Sequence, residues 1–349
     1  MYVKPSKVKE KQFLRKGDIL ITASTGSIKV IGKNAYCDKN YKASFGAFCK
    51  VVRSKNIDSN YLKHMFQSSQ YFSYIQNVVN GANINNIKNE HLDNFKIPLP
   101  PLETQQRIAR ILDDAAALRD KTAQLLKEYD LLAQSIFLEM FGDPVINQKG
   151  WDSFKLKKVT TKIGSGATPR GGKEAYKKEG VSLVRSLNIH DNKFKMKNLA
   201  FIDDNQATKL KNVSLKENDV LINITGASVA RCAIVPSHIL PARVNQHVSI
   251  LRCKEEKVNP VFLLHLIISP NCKIKFLGVG SSNAATRESI TKEQLETFEI
   301  IVPPIHLQNK FAEKIALIEL QKELAKQELK ESEELFKSLL QKAFKGELV

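Results

Sequence analysis

The stretch IKNEHLDNFKIPLPPLETQQRIA (Ile87–Ala109) decides how this chain is built, because ITKEQLETFEIIVPPIHLQNKFA (Ile290–Ala312) repeats it. In each copy apolar residues alternate (Phe95, Ile97, Leu99; Phe298, Ile300, Val302), and a Pro-Pro pair follows. Period-two alternation predicts a strand, which the prolines stop. A Gln stands four residues beyond each pair (Gln105, Gln308), and a long helical pattern begins there.

Working outward, the repeat extends across the whole unit. LRKGDILI (Leu14–Ile21) answers LKENDVLI (Leu215–Ile222), and a Thr-Gly follows each (Thr25-Gly26, Thr225-Gly226). IDSNYLKHMF (Ile57–Phe66) answers VNPVFLLHLI (Val258–Ile267). Order and spacing persist, so the chain is a tandem duplication. The copies are unequal. Thirteen residues precede Leu14, whereas 64 run from Trp151 to Ser214, so a large front portion of repeat two has no counterpart in repeat one.

After each Pro-Pro the period changes to seven. Ile108, Ala115, Thr122, Tyr129 and Ile136 fall seven apart, with Ile111, Leu118, Leu125 and Leu132 three residues after the first four. That predicts an a/d seam along a helix over Glu103–Phe141, ended by Gly142-Asp143-Pro144. The second helix, Ile305–Phe344, carries Phe311, Ile315, Ile318, Ala325, Leu329, Ser332, Phe336, Leu339 and Ala343 on one stripe, with Lys322 intruding. Two such helices most simply pair as a coiled coil; the alternative is that each packs only on its own domain. The expected division is a partial first domain (1–101), a helix and linker (102–145), a second domain (146–303) and a distal helix (304–349). Within repeat two, Val181–Val184, Val220–Ile224, Cys232–Val235 and His247–Arg252 read as strands and Pro260–Ile268 as a helix, giving a mixed α/β or α+β class.

The 349 residues carry 54 Lys+Arg against 36 Asp+Glu, a net charge of +18, which favours a polyanionic partner such as nucleic acid. The five cysteines have neither C-x-x-C spacing nor a zinc rhythm, so reduced core thiols and no metal site are expected. The basic N-terminus has no apolar signal core, and no apolar run is long enough for a membrane span. A cytoplasmic protein without membrane partners is the expectation.

The junctions IPLPPLETQQRIA and IVPPIHLQNKFA resemble the two conserved-region entrances of type I restriction–modification specificity subunits. WDSFKLKKV with GSGATP, NDVLINITGASVARCAIVP, PARVNQHV and, in repeat one, ASFGAFC are similar to blocks of the same family. The resemblance covers nearly the whole chain. It implies two target-recognition domains in a pseudo-two-fold tandem repeat, separated by two long antiparallel coiled-coil helices. Each domain would read half of a split site on double-stranded DNA. The helices would dock methyltransferase (M) subunits, and motor-nuclease (R) subunits would join that core. S-adenosylmethionine, ATP and Mg would then belong to the partners, with no cofactor held by this chain. Residues on the helices expected at the subunit interface are Ile111, Leu118, Leu125, Leu132, Ile318, Leu329 and Phe336.

The motif inventory points to binding, not catalysis. Pro100-Pro101-Leu102 and Pro303-Pro304-Ile305 lack both the preceding Asn/Asp and the following aromatic residue of an amino-methyltransferase motif. ATPRGGKE (Ala167–Glu174) approximates a phosphate loop, but Glu174 stands where magnesium binding needs Ser or Thr. That loop reads better as a DNA contact through Thr168, Arg170 and Lys173, its glycines letting backbone approach the duplex. Thr225, Ser228 and Arg231 form a second candidate cluster, with Thr25, Ser27 and Lys29 as repeat-one equivalents. Asn245, Gln246 and His247 form a third, either gripping adenine edges or shaping a turn. Asn283, Thr286 and Arg287 form a fourth. Two readings of the whole remain: a working DNA-specificity module, or an interaction scaffold with weak or half-site DNA binding. The shortened first domain is expected either to be completed by a second polypeptide or to be the least stable region.

Overall fold

The computed structural model describes residues 8–27, 29–82, 86–169, 171–281 and 289–348, and the chain falls into two units. Unit 1 joins Met1–Leu126 to Leu324–Val349; unit 2 is Lys127–Glu323. The cut therefore runs through both long helices, so each unit holds part of each, where the sequence suggested helices standing apart from the domains.

Unit 1 begins with strands β1 (Ile19–Thr22), β2 (Asn34–Tyr36) and β3 (Cys49–Val52), followed by helices α1 (Ser59–Met65), α2 (Ser69–Ala82) and α3 (Asn89–Asp93). Helix α4 (Leu102–Phe141) carries the chain into unit 2. There β4 (Ser153–Lys155), α5 (Leu156–Val159), β5 (Thr160–Ser165) and β6 (Val181–Val184) come first. A small hairpin, β7 (Ile189–His190) and β8 (Lys193–Phe194), precedes β9 (Ala200–Ile202) and α6 (Asp204–Lys209). Strands β10 (Val220–Asn223), β11 (Cys232–Ile234), β12 (Ala242–Val244) and β13 (Val248–Cys253) follow. The unit closes with α7 (Pro260–Ile268), α8 (Pro270–Ser281), α9 (Lys292–Thr297), β14 (Glu299–Ile301) and helix α10 (Ile305–Lys345), whose last turns belong to unit 1.

The duplication is visible strand by strand. The unit 1 sheet has the order β2-β1-β3, all antiparallel, and the main unit 2 sheet has the order β11-β10-β13-β5. Thus β1 corresponds to β10, β2 to β11 and β3 to β13. The run Val220-Leu221-Ile222-Asn223 is buried at every position, as expected of a central strand covered on both faces.

A buried ion pair marks the same place in both sheets. Asp18 and Asp219, 1% and 0% exposed, lie just before β1 and β10. Arg53 donates from Nε and Nη2 to the two Asp18 oxygens, both at 2.7 Å. Arg252 does the same to Asp219 at 2.7 and 2.8 Å. Each fork reaches a backbone carbonyl as well, Phe13 or Ser214, and each Asp accepts a backbone N–H from three residues upstream. Such bidentate charge-assisted pairs are among the strongest side-chain bonds. For Asp18, burial opposes ionisation, but the Arg53 and Arg15 bonds outweigh it and hold the carboxyl below its usual range.

The helices pair start against end. In unit 1, Ile108, Leu112 and Ala115 of α4 share a core with Phe336, Leu340 and Ala343 of α10. In unit 2, Ala133, Phe137 and Phe141 pack with Phe311, Ile315 and Ile318. This is the antiparallel pairing implied by the family resemblance. The α10 stripe falls where its spacing predicts, but the α4 seam is rotated. Its second series lies four residues after Ile108 and its heptad equivalents, at Leu112, Arg119, Leu126 and Ala133, and not three. Leu118 and Leu132 consequently stand 44% and 46% exposed, while Ile111 and Leu125 are half-buried. The antiparallel partner α10 presents Phe336 and Phe311, and the small residues Ala115 and Ala133 of α4 share their cores.

The intruding Lys322 is 8% exposed and bonds to Asp130 and Glu319, both at 2.8 Å. Burial alone would lower its pKa, yet these carboxylates hold it above the usual value. Arg119 of unit 1 lies over the Phe336 ring, 4.8 Å from its centroid. A second departure concerns Phe95–Leu99. This segment forms no strand, whereas its counterpart β14 pairs with β4. The period-two pattern is present in both, but a strand needs a neighbour, and unit 1 has no β4 among the described residues.

His265, 7% exposed, sits edge-on to Phe311 with its Nε2 unpartnered. Burial, aided by Lys322, pushes its pKa down from 6.5 to about 4. The unfolded chain therefore binds this proton below about pH 6.5 and the folded chain only near 4, so stability rises with pH across that window. At about 1.4 kcal/mol per pKa unit the effect amounts to roughly 3 kcal/mol. His265→Phe should flatten the pH dependence of unit 2 unfolding between pH 4 and 6.5, measured by denaturant titration at several pH values. An unchanged slope would contradict the assignment.

Candidate nucleic-acid interface

The predicted contact clusters of repeat two gather at one end of its main sheet. Pairing of Asn223 with Val248 and of Ser249 with Ser165 places the end of β10, the start of β13 and the end of β5 side by side. The loops continuing from these points carry Thr225–Arg231, Asn245–His247 and Gly166–Thr168. The Thr225–Ser289 bridge brings the flank of the fourth cluster to the same place; Asn283, Thr286 and Arg287 themselves lie outside the described residues. So do Arg170 and the side chain of Lys173.

Hydrogen bonds weld the loops together. Gly166 N–H donates to the Asn245 carbonyl at 3.1 Å, and Thr168 N–H donates to Gln246 Oε1 at 2.7 Å. Thr225 Oγ1 and His247 Nδ1 lie 2.6 Å apart. Ser228 Oγ accepts from Asn223 Nδ2 at 3.2 Å, and the same amide donates to the Ser186 carbonyl. The β10 strand ends because Gly226 and Ala230 take left-handed conformations, with φ of 72° and 64°, on either side of a short 3-10 turn.

This geometry sorts the candidates. Gln246 is exposed, and Thr168, Thr225, Ser228, Arg231 and His247 are half-buried. Asn245 is only 4% exposed, and its Oδ1 accepts the His247 N–H at 3.1 Å. It shapes the turn that presents Gln246 and His247, so the reading of Asn245 as an adenine contact gives way to the turn reading. Gly166, just ahead of the Ala167–Glu174 loop, also serves the fold. A Cβ there would stand 1.8 Å from the Val244 carbonyl oxygen, so its missing side chain serves a close backbone approach within the domain.

Unit 1 offers a reduced version. Thr25 is half-buried, Ser27 and Lys29 are exposed, and the Ser27 N–H donates to Thr25 Oγ1 at 3.4 Å. The Asn245–His247 triad is replaced by Gly46-Ala47-Phe48, with Phe48 70% exposed. Sequence reasoning missed the Asp18–Arg53 and Asp219–Arg252 clamps, which lie at the opposite end of each sheet from these loops. Their signal was present: the Asp is common to LRKGDILI and LKENDVLI, and VVR (51–53) matches ILR (250–252). Among the described residues no His/Cys/Asp/Glu group is arranged to hold a metal ion, and no single helix is long and apolar enough to cross a membrane.

A duplicated antiparallel sheet, each copy leading through Pro-Pro into a helix of about forty residues, defines a class of helix-paired two-module proteins. A sequence model described as the type I restriction modification DNA specificity domain matches residues 2–128 and 148–334, and the chain belongs to that family of specificity subunits. It is 27% identical to the type I restriction enzyme StySPI specificity subunit of Salmonella potsdam, covering 100% of this chain and 78% of that protein. It is 24% identical to the EcoKI specificity subunit of Escherichia coli K12, with the same coverage. A solved S subunit from M. genitalium shares the fold, with a TM-score of 0.56 at 16% identity over 96% of this chain and 84% of that one. A chain from a structure of type I R-M complex assembly and conformational transition gives 0.59 at 20% identity, covering 96% and 83%.

The Gly166 contact makes a direct test. Gly166→Ala should break the bonds that hold the Gly166–Thr168 loop to Asn245 and Gln246. Hydrogen exchange should then speed up at least tenfold at the Gly166 and Thr168 amides, with β10 amides unaffected. Equal exchange in both proteins would show that the loop does not depend on that close approach.

Proposed function

We propose that this chain is a non-catalytic, sequence-reading subunit of a type I restriction–modification complex, and that unit 2 reads one half of a bipartite site on duplex DNA. The observation that carries this reading is the convergence of three hydrogen-bonded loops, bearing Thr168, Thr225, Arg231, Gln246 and His247, at one end of one sheet. The glutamine amide and the arginine guanidinium are the groups that read adenine and guanine edges in a major groove. The net charge of +18 supports phosphate contacts, which position the protein without specifying sequence.

A second reading, a scaffold with half-site binding, is favoured by the reduced loops of unit 1. Both readings are separated by selecting bound duplexes from a randomised pool with the purified chain. Enrichment of one short half-site is expected, with affinity falling at a log–log slope near −0.9 per phosphate contacted as salt rises. Arg231→Ala or Gln246→Ala should cost about 1–3 kcal/mol and relax preference at one base pair. A uniform loss over all sequences would assign the residue to phosphate, and no enrichment at all would leave only the scaffold.

For the partners, we propose that the helices dock the methyltransferase subunits through leucines the chain leaves exposed. On α4 these are Leu118, Leu131, Leu132 and Leu138, and on α10 they include Leu317 and Leu320. S-adenosylmethionine, ATP and Mg are assigned to the partner subunits, and the complex to the cytoplasm. The double substitution Leu131→Glu/Leu138→Glu should leave helix content and melting temperature unchanged while abolishing co-purification with the methyltransferase. Retained co-purification would move the docking surface elsewhere.

A further inference from the structure

Among the described residues, three backbone edges in unit 1 lack the strand that covers the same edge in unit 2. First, β13 pairs with β10 on one side and with β5 on the other, but β3 pairs only with β1 among the described residues. Second, Ala242–Val244 bridges to Ser214 on one side and pairs in parallel with β6 on the other. Its counterpart Ala43–Phe45 keeps only the first contact, through Phe13 and Ser44. Third, β14 pairs with β4, while its counterpart Lys96–Pro98 is unpaired.

Burial follows pairing. β13 is buried at five of six positions, whereas all four residues of β3 are half-buried. Ala242 and Val244 are buried, but Ala43 is exposed and Phe45 half-buried. Phe298 and Ile300 are buried, and Phe95 and Ile97 are half-buried. The three covering strands β4, β5 and β6 all come from one contiguous stretch, Ser153–Val184. Unsatisfied edges over partly open apolar residues are the usual template for an added strand.

Pro98 keeps the third edge competent. In unit 2 the cross-strand bonds run from Val302 N–H to the Asp152 carbonyl and from Leu156 N–H to the Phe298 carbonyl. Bonding positions alternate in an antiparallel pair, so Ile301 turns its N–H away from β4. Pro98 replaces Ile301, a position of this edge where a missing N–H removes no bond to the incoming strand.

We propose that unit 1 binds an added polypeptide segment with the strand pattern of Ser153–Val184, which completes its sheet along all three edges. The second unit specifies the chemistry of that segment. It brings a β-helix-β turn whose helix buries two aliphatic residues, as Leu156 and Val159 are buried at 0% and 1% exposure. It carries a glycine where Gly166 passes over Val244, here passing over Phe45. It ends in a short aliphatic strand that pairs in parallel. This inference goes beyond the DNA reading and does not depend on it.

The probe is a polypeptide of residues 151–184 of this chain, added to the full-length protein at saturating concentration. Hydrogen exchange of amides in 43–45, 49–52 and 97–99 should slow at least tenfold, with β13 amides unchanged. The same fragment carrying Gly166→Leu should protect none of them. Protection of Ile19–Ile21 without fragment checks that unit 1 is folded. Absence of protection at the three edges, or equal protection by the leucine fragment, would overturn the proposal. Protection without fragment that grows with protein concentration would instead identify a second copy as the occupant. Protection only when the fragment is covalently fused to the chain would overturn binding of a free segment. Half-site enrichment, measured on the same preparation, reports on DNA reading independently.

Discussion

A buried glutamine carboxamide fixes where each long helix leaves its domain. Gln105 Oε1 accepts the Asp58 N–H at 3.0 Å, and its Nε2 donates to the Pro100 carbonyl at 2.7 Å. Gln308 accepts from Asn259 N–H at 2.9 Å and donates to the carbonyls of Pro303 and Lys257 at 2.6 and 3.0 Å. Asp58 and Asn259 are in turn the N-caps of α1 and α7. One side chain thus ties the Pro-Pro entry, the first turn of the long helix and the start of a short core helix. The glutamines are 3% and 0% exposed, so losing one would strand several backbone groups away from water, at about 1–3 kcal/mol each. No other residue type of that length supplies both an acceptor and two donors without charge. Domain and helix are rigidly related in each unit because of it.

The two units then diverge on a shared frame. Clamp, capped helix and glutamine lock are the same in both, down to the serine that closes the short helix: Ser68 and Ser269 each donate to a carbonyl three residues back. What differs is the material laid across the sheet. Unit 2 has it, and its loops are held by Gly166 and Thr168. Unit 1 lacks it among the described residues, and Phe48 stands in the open where His247 bonds to Thr225.

The duplication, the helix spans and most repeat-two strands were legible because they are local patterns: α7 lies at Pro260–Ile268 as its apolar run predicts, and β6 at Val181–Val184. Long-range pairing was not legible. Phe95, Ile97 and Leu99 alternate as a strand should, but alternation does not reveal whether a neighbour exists. The α4 seam failed for a related reason. Choosing between a three- and a four-residue step depends on the size of the facing residues on α10, and that is decided two hundred residues downstream. At the recognition end, residue type marked the loops but could not separate Gln246, which is exposed, from Asn245, which is consumed by its own turn. The Asp–Arg clamps stand in both repeats, but single charges at or near the ends of apolar strands do not reveal that they pair with each other.

The clamps also set an order of assembly during synthesis. They join residues 35 and 33 positions apart, so the strands they tie together emerge close to one another from the ribosome. The helix pair is different: the end of α10 meets α1–α2 across 274 positions, as in the bond from Gln70 to the Phe344 carbonyl. The N-terminal half of α4 must therefore wait, its packing stripe uncovered, until nearly the whole chain has been made. A nascent helix in that position is exposed to wrong partners in proportion to its bare apolar area. Beyond Ile108 and Leu112, Ala115 and Thr122 keep that area small, so the middle of the seam stays soluble while unfinished.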